Sequence, residues 1–229
     1  MSSKISTKLI KMRESLLAII QLPALSVIFP ILLGLLNYKK LDIALRNVFY
    51  YLVFILIRER FQPYIHSALY INIEHIIYEL SFTFFYSVAF IEWAGLKKVK
   101  KLIRIQILVI LCLIFCEIHF FGLNTFRVSI FSVVINILFT LVIVYLINKT
   151  LNRNEPNKEK KVKLLILIPN LIFYFFFNTL DILMIFLYSS KTQEIFISLH
   201  VITQMLLLGV YFCFSLAFYL KPKKEVYLQ

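Results

Sequence analysis

Long apolar segments alternate with short polar ones along almost the whole chain. Each apolar segment is roughly 20 residues long, the length that an α-helix needs to cross a hydrocarbon layer of about 30 Å. Only helices and closed barrels satisfy all backbone hydrogen bonds within lipid, so the pattern predicts an all-α polytopic transmembrane bundle. Residues 1–229 form one bundle without a soluble domain, with seven spans near residues 16–36, 41–57, 72–93, 102–121, 126–147, 164–188 and 195–220.

The connections between these predicted spans are short and polar. The longest covers residues 148–163, contains Pro156 and many charges, and is expected to be a solvated loop. The second span is the weakest, because Arg46 and the charged run at residues 58–60 leave only a short uncharged stretch between them. If that segment lay on the membrane surface, the chain would have six spans, and the sequence leaves both counts open.

Composition and charge agree with a membrane location. Hydrophobic residues make up 61% of the 229 residues and charged residues 16%, with a mean hydropathy of +0.85, whereas soluble domains have about 25% charged residues. Most of the basic residues behind the net charge of +13 fall in loops on one predicted side. The positive-inside rule therefore predicts a bacterial inner-membrane protein with a cytoplasmic C-terminus. A nucleic-acid partner is not expected, since no soluble basic surface is present.

Polar residues inside the spans recur every three or four positions and so share one helix face. The stripes are His75, Glu79, Thr83 and Ser87 in the third span; Ser129, Ser132, Asn136 and Thr140 in the fifth; Asn170, Tyr174, Asn178 and Asp181 in the sixth; and His200, Gln204, Tyr211 and Ser215 in the seventh. Facing lipid would leave these groups without hydrogen-bond partners, so we expect a polar interior. The 23 phenylalanines and 13 tyrosines are expected to face lipid and the membrane interfaces instead.

Acidic and imidazole groups concentrate in the half of each span that is predicted to lie outside. Asp181, in the segment FFFNTLDILMIF, lies within hydrocarbon, where an ionised residue costs roughly 2.5 to 3.5 kcal/mol. It must therefore be protonated, paired or in contact with water, and Arg127 is the expected counter-ion. We predict an outward-facing polar pocket formed by Asp181, His200, His75, Glu79, Asn178, Gln204, Arg127 and Glu59.

Four of these residues also offer ligands for a metal ion. His75, Glu79, Asp181 and His200 carry the imidazole and carboxylate groups that bind zinc or another transition metal. They come from three spans and no HExxH motif is present, so no cofactor is predicted and zinc remains an alternative. Without a phosphate-binding glycine loop or a nucleophile elbow, catalytic residues stay unknown and an enzyme is not expected.

Three short segments resemble a group of small seven-span bacterial membrane proteins that lack soluble domains. The resemblance covers residues 48–220 and implies seven spans rather than six. The group has no assigned function, so no catalytic residue follows from it. The segments are LIRER at the end of the second span, NIEHIIYE with Asn72, His75 and Glu79, and LNTFR with Asn124, Thr125 and Arg127.

These features favour a sensory or receptor-like module that binds a ligand in the outward-facing pocket and acts through a cytoplasmic or membrane protein partner. Pro169 is expected to bend the sixth span between that pocket and the basic loop before it. A small-solute or ion transporter is the first alternative, although the inner halves of the spans are apolar and inverted repeats are not evident. A metal-dependent lipid hydrolase and an accessory that modulates another membrane protein are the others.

Overall fold

The computed structural model describes residues 25–61, 68–95, 130–187 and 193–220, together with seven helical positions between 108 and 119. Within these parts of the chain the regular elements are helical, and none is a strand. The α-helices are α1 (Ile28–Leu36), α2 (Ile43–Phe61), α3 (Ala68–Ala94), α4 (Ile130–Asn152), α5 (Asn157–Leu187) and α6 (Gln193–Leu220), with a 3₁₀ turn at Tyr38–Lys40. The predicted all-helical class is confirmed for the described residues.

Four of the described helices are long and apolar enough to cross a membrane, as expected of a polytopic membrane protein. The described part of α1 has nine residues, about 14 Å, which is too short. α2 has 19 residues but carries charges at both ends, and residues 102–121 lie largely outside the described positions. The count of seven spans is therefore not confirmed. The candidate spans are Ile76–Ala94, Val133–Asn152, Asn157–Leu183 and Ser198–Leu220.

One end of the bundle is rich in cations that bind free backbone carbonyls. Gly95 follows the end of α3, and its φ of 60° is a left-handed conformation that glycine adopts without steric cost. Lys149 Nζ donates to the Ala94 carbonyl oxygen at 2.6 Å, and Arg153 Nη1 donates to the Trp93 carbonyl oxygen at 3.3 Å. Cations at a helix C-terminus satisfy its free carbonyls and its dipole. We call this the basic end.

The connection between α4 and α5 is much shorter than the sequence predicts. Only residues 153–156 lie between the two helices, so the expectation of a solvated loop over residues 148–163 was wrong. Lysine and glutamate are good helix formers, and a proline is tolerated at a helix start. The Pro156 carbonyl oxygen accepts the Glu159 and Lys160 backbone N–H groups at 2.9 and 3.1 Å. The charged residues between 148 and 163 therefore continue α4 and α5 instead of forming a loop.

Aromatic rings fill the space between the helices. The Phe82 ring of α3 lies 4.6 Å from that of Phe139 in α4 and 5.1 Å from that of Tyr174 in α5, centroid to centroid. Phe49 of α2 and Phe218 of α6 meet at 6.5 Å, and all five side chains are buried. The expectation that aromatic residues face lipid and the interfaces was thus wrong for this set. With only four glycines in the chain, rings rather than close backbone contacts fill the core.

Other large apolar side chains point away from the core. Phe29, Phe175 and Phe212 are 67%, 69% and 65% exposed. A soluble protein rarely exposes so many large apolar groups together, whereas a bilayer would cover them. The apolar outer faces are therefore compatible with the predicted lipid contact.

Candidate functional site

The end of the bundle opposite the basic end carries a partly buried ion pair between α2 and α3. Arg58 Nε donates to Glu74 Oε1, and Arg58 Nη2 donates to Glu74 Oε2 at 3.4 Å. The Arg58 guanidinium lies 4.1 Å from the ring centroid of Tyr78, and its Nη1 lies 3.9 Å from Glu59 Oε1. The side chains of Arg58 and Glu74 are only 19% and 16% exposed. This two-point contact needs the planar arginine fork, which lysine lacks.

Tyrosines connect this ion pair to the middle of the bundle. The Tyr51 hydroxyl donates to the Tyr78 hydroxyl at 2.9 Å. The Tyr51 ring packs edge-on against Tyr86 at 5.1 Å, and Asn170 Nδ2 donates to the Tyr86 hydroxyl at 3.3 Å. These contacts join α2, α3 and α5 through polar groups. We call the set the tyrosine network, and it consists of Arg58, Glu74, Tyr78, Tyr51, Tyr86 and Asn170.

Tyr211 of α6 is also buried, at 4% exposure. Electrostatic neighbours of its hydroxyl include Tyr78, Tyr86, Glu59 and Arg58. Tyr211 and Glu59 were both singled out from the sequence, Tyr211 as a member of a stripe and Glu59 as a pocket residue. Glu59 thus contacts the network through Arg58, whereas Tyr211 is only within electrostatic range of it.

Four polar atoms deep in the bundle have no hydrogen-bond partner among the residues that the structure describes. Their residues are buried, and all four belong to the predicted stripes, so these four stripe positions face the interior. Buried polar atoms are nearly always hydrogen-bonded, and an apolar membrane makes unsatisfied ones costly. They are suited to binding water or a polar ligand. The atoms are Thr83 Oγ1, Ser87 Oγ, Asn136 Nδ2 and Asn178 Oδ1.

Asp181 is half-buried on α5 at the height of the ion pair. α3 and α5 are antiparallel and meet at Tyr86 and Asn170. Asp181 follows Asn170 by 11 positions, and Glu74 precedes Tyr86 by 12. At 1.5 Å per residue, both lie about 17 Å from that contact. Among the described side chains Asp181 has no hydrogen bond or ion pair.

His200 also lies near this height, because it follows the start of α6 by seven residues while Asp181 precedes the end of α5 by six. It is exposed, and its Nε2 lies 3.2 Å from Gln204 Nε2 one turn along the same helix. No hydrogen bond or ion pair between Asp181 and His200 is present in the described part of the bundle. The side chains of three further predicted pocket residues lie outside the described residues, namely His75, Glu79 and Arg127.

The metal hypothesis stays a prediction. Within the described ranges, no group of three or more His, Cys, Asp or Glu side chains could hold a metal ion. His75 and Glu79 are two of the four proposed ligands, and their side chains are not among those described.

One pocket among the described residues lies at the basic end and not in the predicted outer half. It has a volume of about 390 Å³ and lies between the start of α2, the end of α3 and the start of α5. Its walls come from segments far apart in the sequence, and none of its charged residues was among the predicted site residues. The charged lining residues are Asp42, Arg46, Glu92, Glu159 and Lys163.

Glu155 holds two cations beside this pocket. Lys163 Nζ donates to Glu155 Oε2 at 2.6 Å, and Arg153 Nη1 donates to Oε1 at 3.1 Å. Burial by itself raises the pKa of Glu155, but the hydrogen bonds and charges of Lys163 and Arg153 outweigh it and hold that pKa below its ordinary value. The carboxylate is therefore ionised at neutral pH and ties the α4–α5 turn to α5.

The chain has no match among known protein families, curated proteins or solved structures. The resemblance to a group of seven-span membrane proteins stays a prediction. Function is therefore argued from the geometry of this bundle.

Proposed function

We propose that the protein is a receptor-like module of a bacterial inner membrane, with its basic end and C-terminus in the cytoplasm. In this proposal the tyrosine network and Asp181 respond to a ligand, and the basic end acts on a protein partner. The observation that carries the proposal is the continuous series of contacts from the Arg58–Glu74 pair to Asn170. A ligand that alters one end of such a series can shift the equilibrium between two conformations of the whole bundle.

The position of Asn170 beside Pro169 supports this coupling. Pro169 lies inside α5 and has no backbone N–H, so one intrahelical hydrogen bond is missing there. Helices bend most readily at such positions. A change in the contact between Tyr86 and Asn170 would therefore act on α5 where it is easiest to bend, two turns from the pocket residue Lys163.

Transport is the second candidate, and the unpaired polar atoms of Thr83, Ser87, Asn136 and Asn178 favour it because they could line a wet path. An aromatic layer argues against an open path. The Phe90 ring lies 5.5 Å from Tyr86, 5.8 Å from Phe139 and 6.3 Å from Trp93. These rings separate the tyrosine network from the pocket at the basic end, so the geometry favours a receptor.

Photo-crosslinking in native membranes tests the proposal. A photoreactive residue replaces Lys158, which is exposed at the basic end, or Phe212, which is exposed on an apolar face. We expect a discrete protein adduct from position 158, with a yield that changes about threefold or more in Asp181→Asn, in line with typical coupling energies. Position 212 should give mainly lipid adducts.

The same purified protein in proteoliposomes separates the two candidates. A receptor should give the ion leak of empty liposomes, whereas a transporter should give flux that falls in Tyr86→Phe. Tyr86-dependent flux, or an adduct at position 158 that is identical in wild type and Asp181→Asn, would contradict the receptor proposal.

A further inference from the structure

Arg46 brings a cationic side chain to the lining of the pocket at the basic end. Its Nε is buried and has no hydrogen-bond partner among the described residues. The guanidinium carbon lies 5.0 Å from the ring centroid of Tyr38, a stacked position that fixes the guanidinium but leaves the Nε–H unsatisfied. A guanidinium held in this way is suited to oxygens of phosphate or carboxylate groups.

Two carboxylates of the pocket have no side-chain partner in the described ranges. Asp42 caps α2 through the Leu45 N–H at 2.8 Å, and Lys163 is bound to Glu155. Glu92 and Glu159 are exposed and have no hydrogen bond or ion pair with any side chain in the described ranges. The pocket therefore offers one cationic donor and two carboxylate acceptors, an arrangement complementary to a zwitterion that carries a primary ammonium.

The position of the pocket indicates where such a zwitterion would come from. Glu92 and Trp93 lie at the end of the candidate span Ile76–Ala94, and the residues of α5 in the pocket lie at the start of another span. This is the height at which lipid headgroups meet water. Apolar lining residues lie beside the charges: Leu41 is 3%, Trp93 5% and Val162 3% exposed. The volume of about 390 Å³ is typical of small-molecule sites.

We propose that this pocket binds a phosphate–ammonium zwitterion, the headgroup chemistry of phosphatidylethanolamine, from the surrounding leaflet. The phosphate contacts Arg46, and the ammonium donates to Glu92 and Glu159. The site uses none of the residues of the tyrosine network. The lipid-binding proposal can therefore be tested independently of the receptor proposal.

Trp93 provides a direct measurement because it is the one tryptophan of the chain and lines the pocket. The full chain in detergent micelles is titrated with short-chain phosphatidylethanolamine, phosphatidylcholine and phosphatidylglycerol while tryptophan emission is recorded. Phosphatidylethanolamine should give a saturable change. Phosphatidylcholine has no N–H donor and phosphatidylglycerol has no cation, so each should bind roughly tenfold or more weakly, the loss expected for one charge-assisted hydrogen bond.

Substitutions test the phosphate contact of Arg46 and the ammonium contact of Glu92 separately. Arg46→Gln and Glu92→Gln should each weaken phosphatidylethanolamine binding roughly tenfold or more, whereas Lys158→Gln, outside the pocket, should bind as wild type. Glu92 is exposed, so Glu92→Gln decides even if Arg46→Gln does not fold. Free phosphoethanolamine distinguishes the source: weaker binding than the lipid supports a membrane headgroup, and equal binding supports the same chemistry from solution.

Three results would overturn the assignment. They are an equal response to all three lipids, the absence of any saturable response in folded protein, and wild-type affinity in Glu92→Gln with unchanged helical content.

Discussion

The Tyr86 hydroxyl of α3 meets both ends of the Asn170 amide of α5: it lies 3.3 Å from Nδ2 and 3.5 Å from Oδ1. Both residues are buried, at 1% and 3% exposure, and Asn170 Nδ2 also donates to the Ile166 carbonyl oxygen at 2.9 Å. The contact therefore fixes α3 against α5 beside Pro169, the most easily bent point of α5.

Removing one hydroxyl should weaken this contact. We expect Tyr86→Phe to lower the free energy of unfolding by about 1 to 2 kcal/mol, because the Asn170 amide is left buried without this partner. Unfolding in mixed micelles of increasing SDS fraction measures the loss. Tyr219→Phe is the control, since Tyr219 is 69% exposed and should show no loss. Equal effects of the two substitutions would show that the Tyr86 contact contributes nothing.

The Arg58–Glu74 pair should show strong coupling between its two residues. A double-mutant cycle of Arg58→Lys and Glu74→Gln should give a coupling energy of about 1 to 3 kcal/mol, since lysine cannot make the two-point contact. Arg60→Lys is the matched control, because Arg60 is exposed on the same helix. Additive effects of Arg58→Lys and Glu74→Gln would contradict a direct pair.

Two glycines should respond in opposite ways to alanine. Gly95 has a φ of 60°, and a Cβ there would lie 2.7 Å from Arg153 Nη2. Gly95→Ala should therefore destabilise by about 1 to 2 kcal/mol through backbone strain, with a lower Tm. A Cβ at Gly209, inside α6, meets no atom within 4 Å, so Gly209→Ala should be neutral or stabilise by up to about 1 kcal/mol. A lower Tm for Gly209→Ala alone would reverse this assignment.

Glu155 should make stability depend on acid pH. Its pKa is lower in the folded protein than its ordinary value of 4.5, so its ion pairs stabilise the fold above pH 4.5. That stability is lost as the pH falls through the folded-state pKa. We expect Glu155→Gln to lower stability at pH 7 and to flatten the decline of stability below pH 4.5, measured by unfolding in micelles. Glu159→Gln, without a described partner, should keep the wild-type profile, and an unchanged profile in Glu155→Gln would refute the role of these ion pairs.

The sequence predicted the features that each segment determines by itself. Apolar runs predicted α3 to α6, and helical spacing predicted that Thr83, Asn136 and Asn178 face the interior, because lipid cannot satisfy polar groups. It did not reveal the pairing of Arg58 with Glu74, which depends on how α2 packs against α3.

Features built from distant segments were also missed. The basic-end pocket combines three segments that no local pattern brings together. The continuation of α4 and α5 was missed because the charged stretch was interpreted as a loop, although lysine and glutamate are good helix formers. The surroundings of Asp181 likewise depend on the packing of several helices, and its expected counter-ion Arg127 lies outside the described residues, so the outward-facing pocket stays a prediction.

Hydrogen exchange in lipid nanodiscs tests the coupling between the two ends most directly. Asp181 is 18 residues from Lys163, about 27 Å along α5. We predict that Asp181→Asn changes amide exchange in residues 153–166 about threefold or more, the scale of typical coupling energies, and that Tyr86→Phe removes this effect. Phe175→Leu, on the exposed face of the same helix, should change nothing there. Exchange at the basic end that is identical in wild type and Asp181→Asn, with the fold intact, would contradict the receptor proposal.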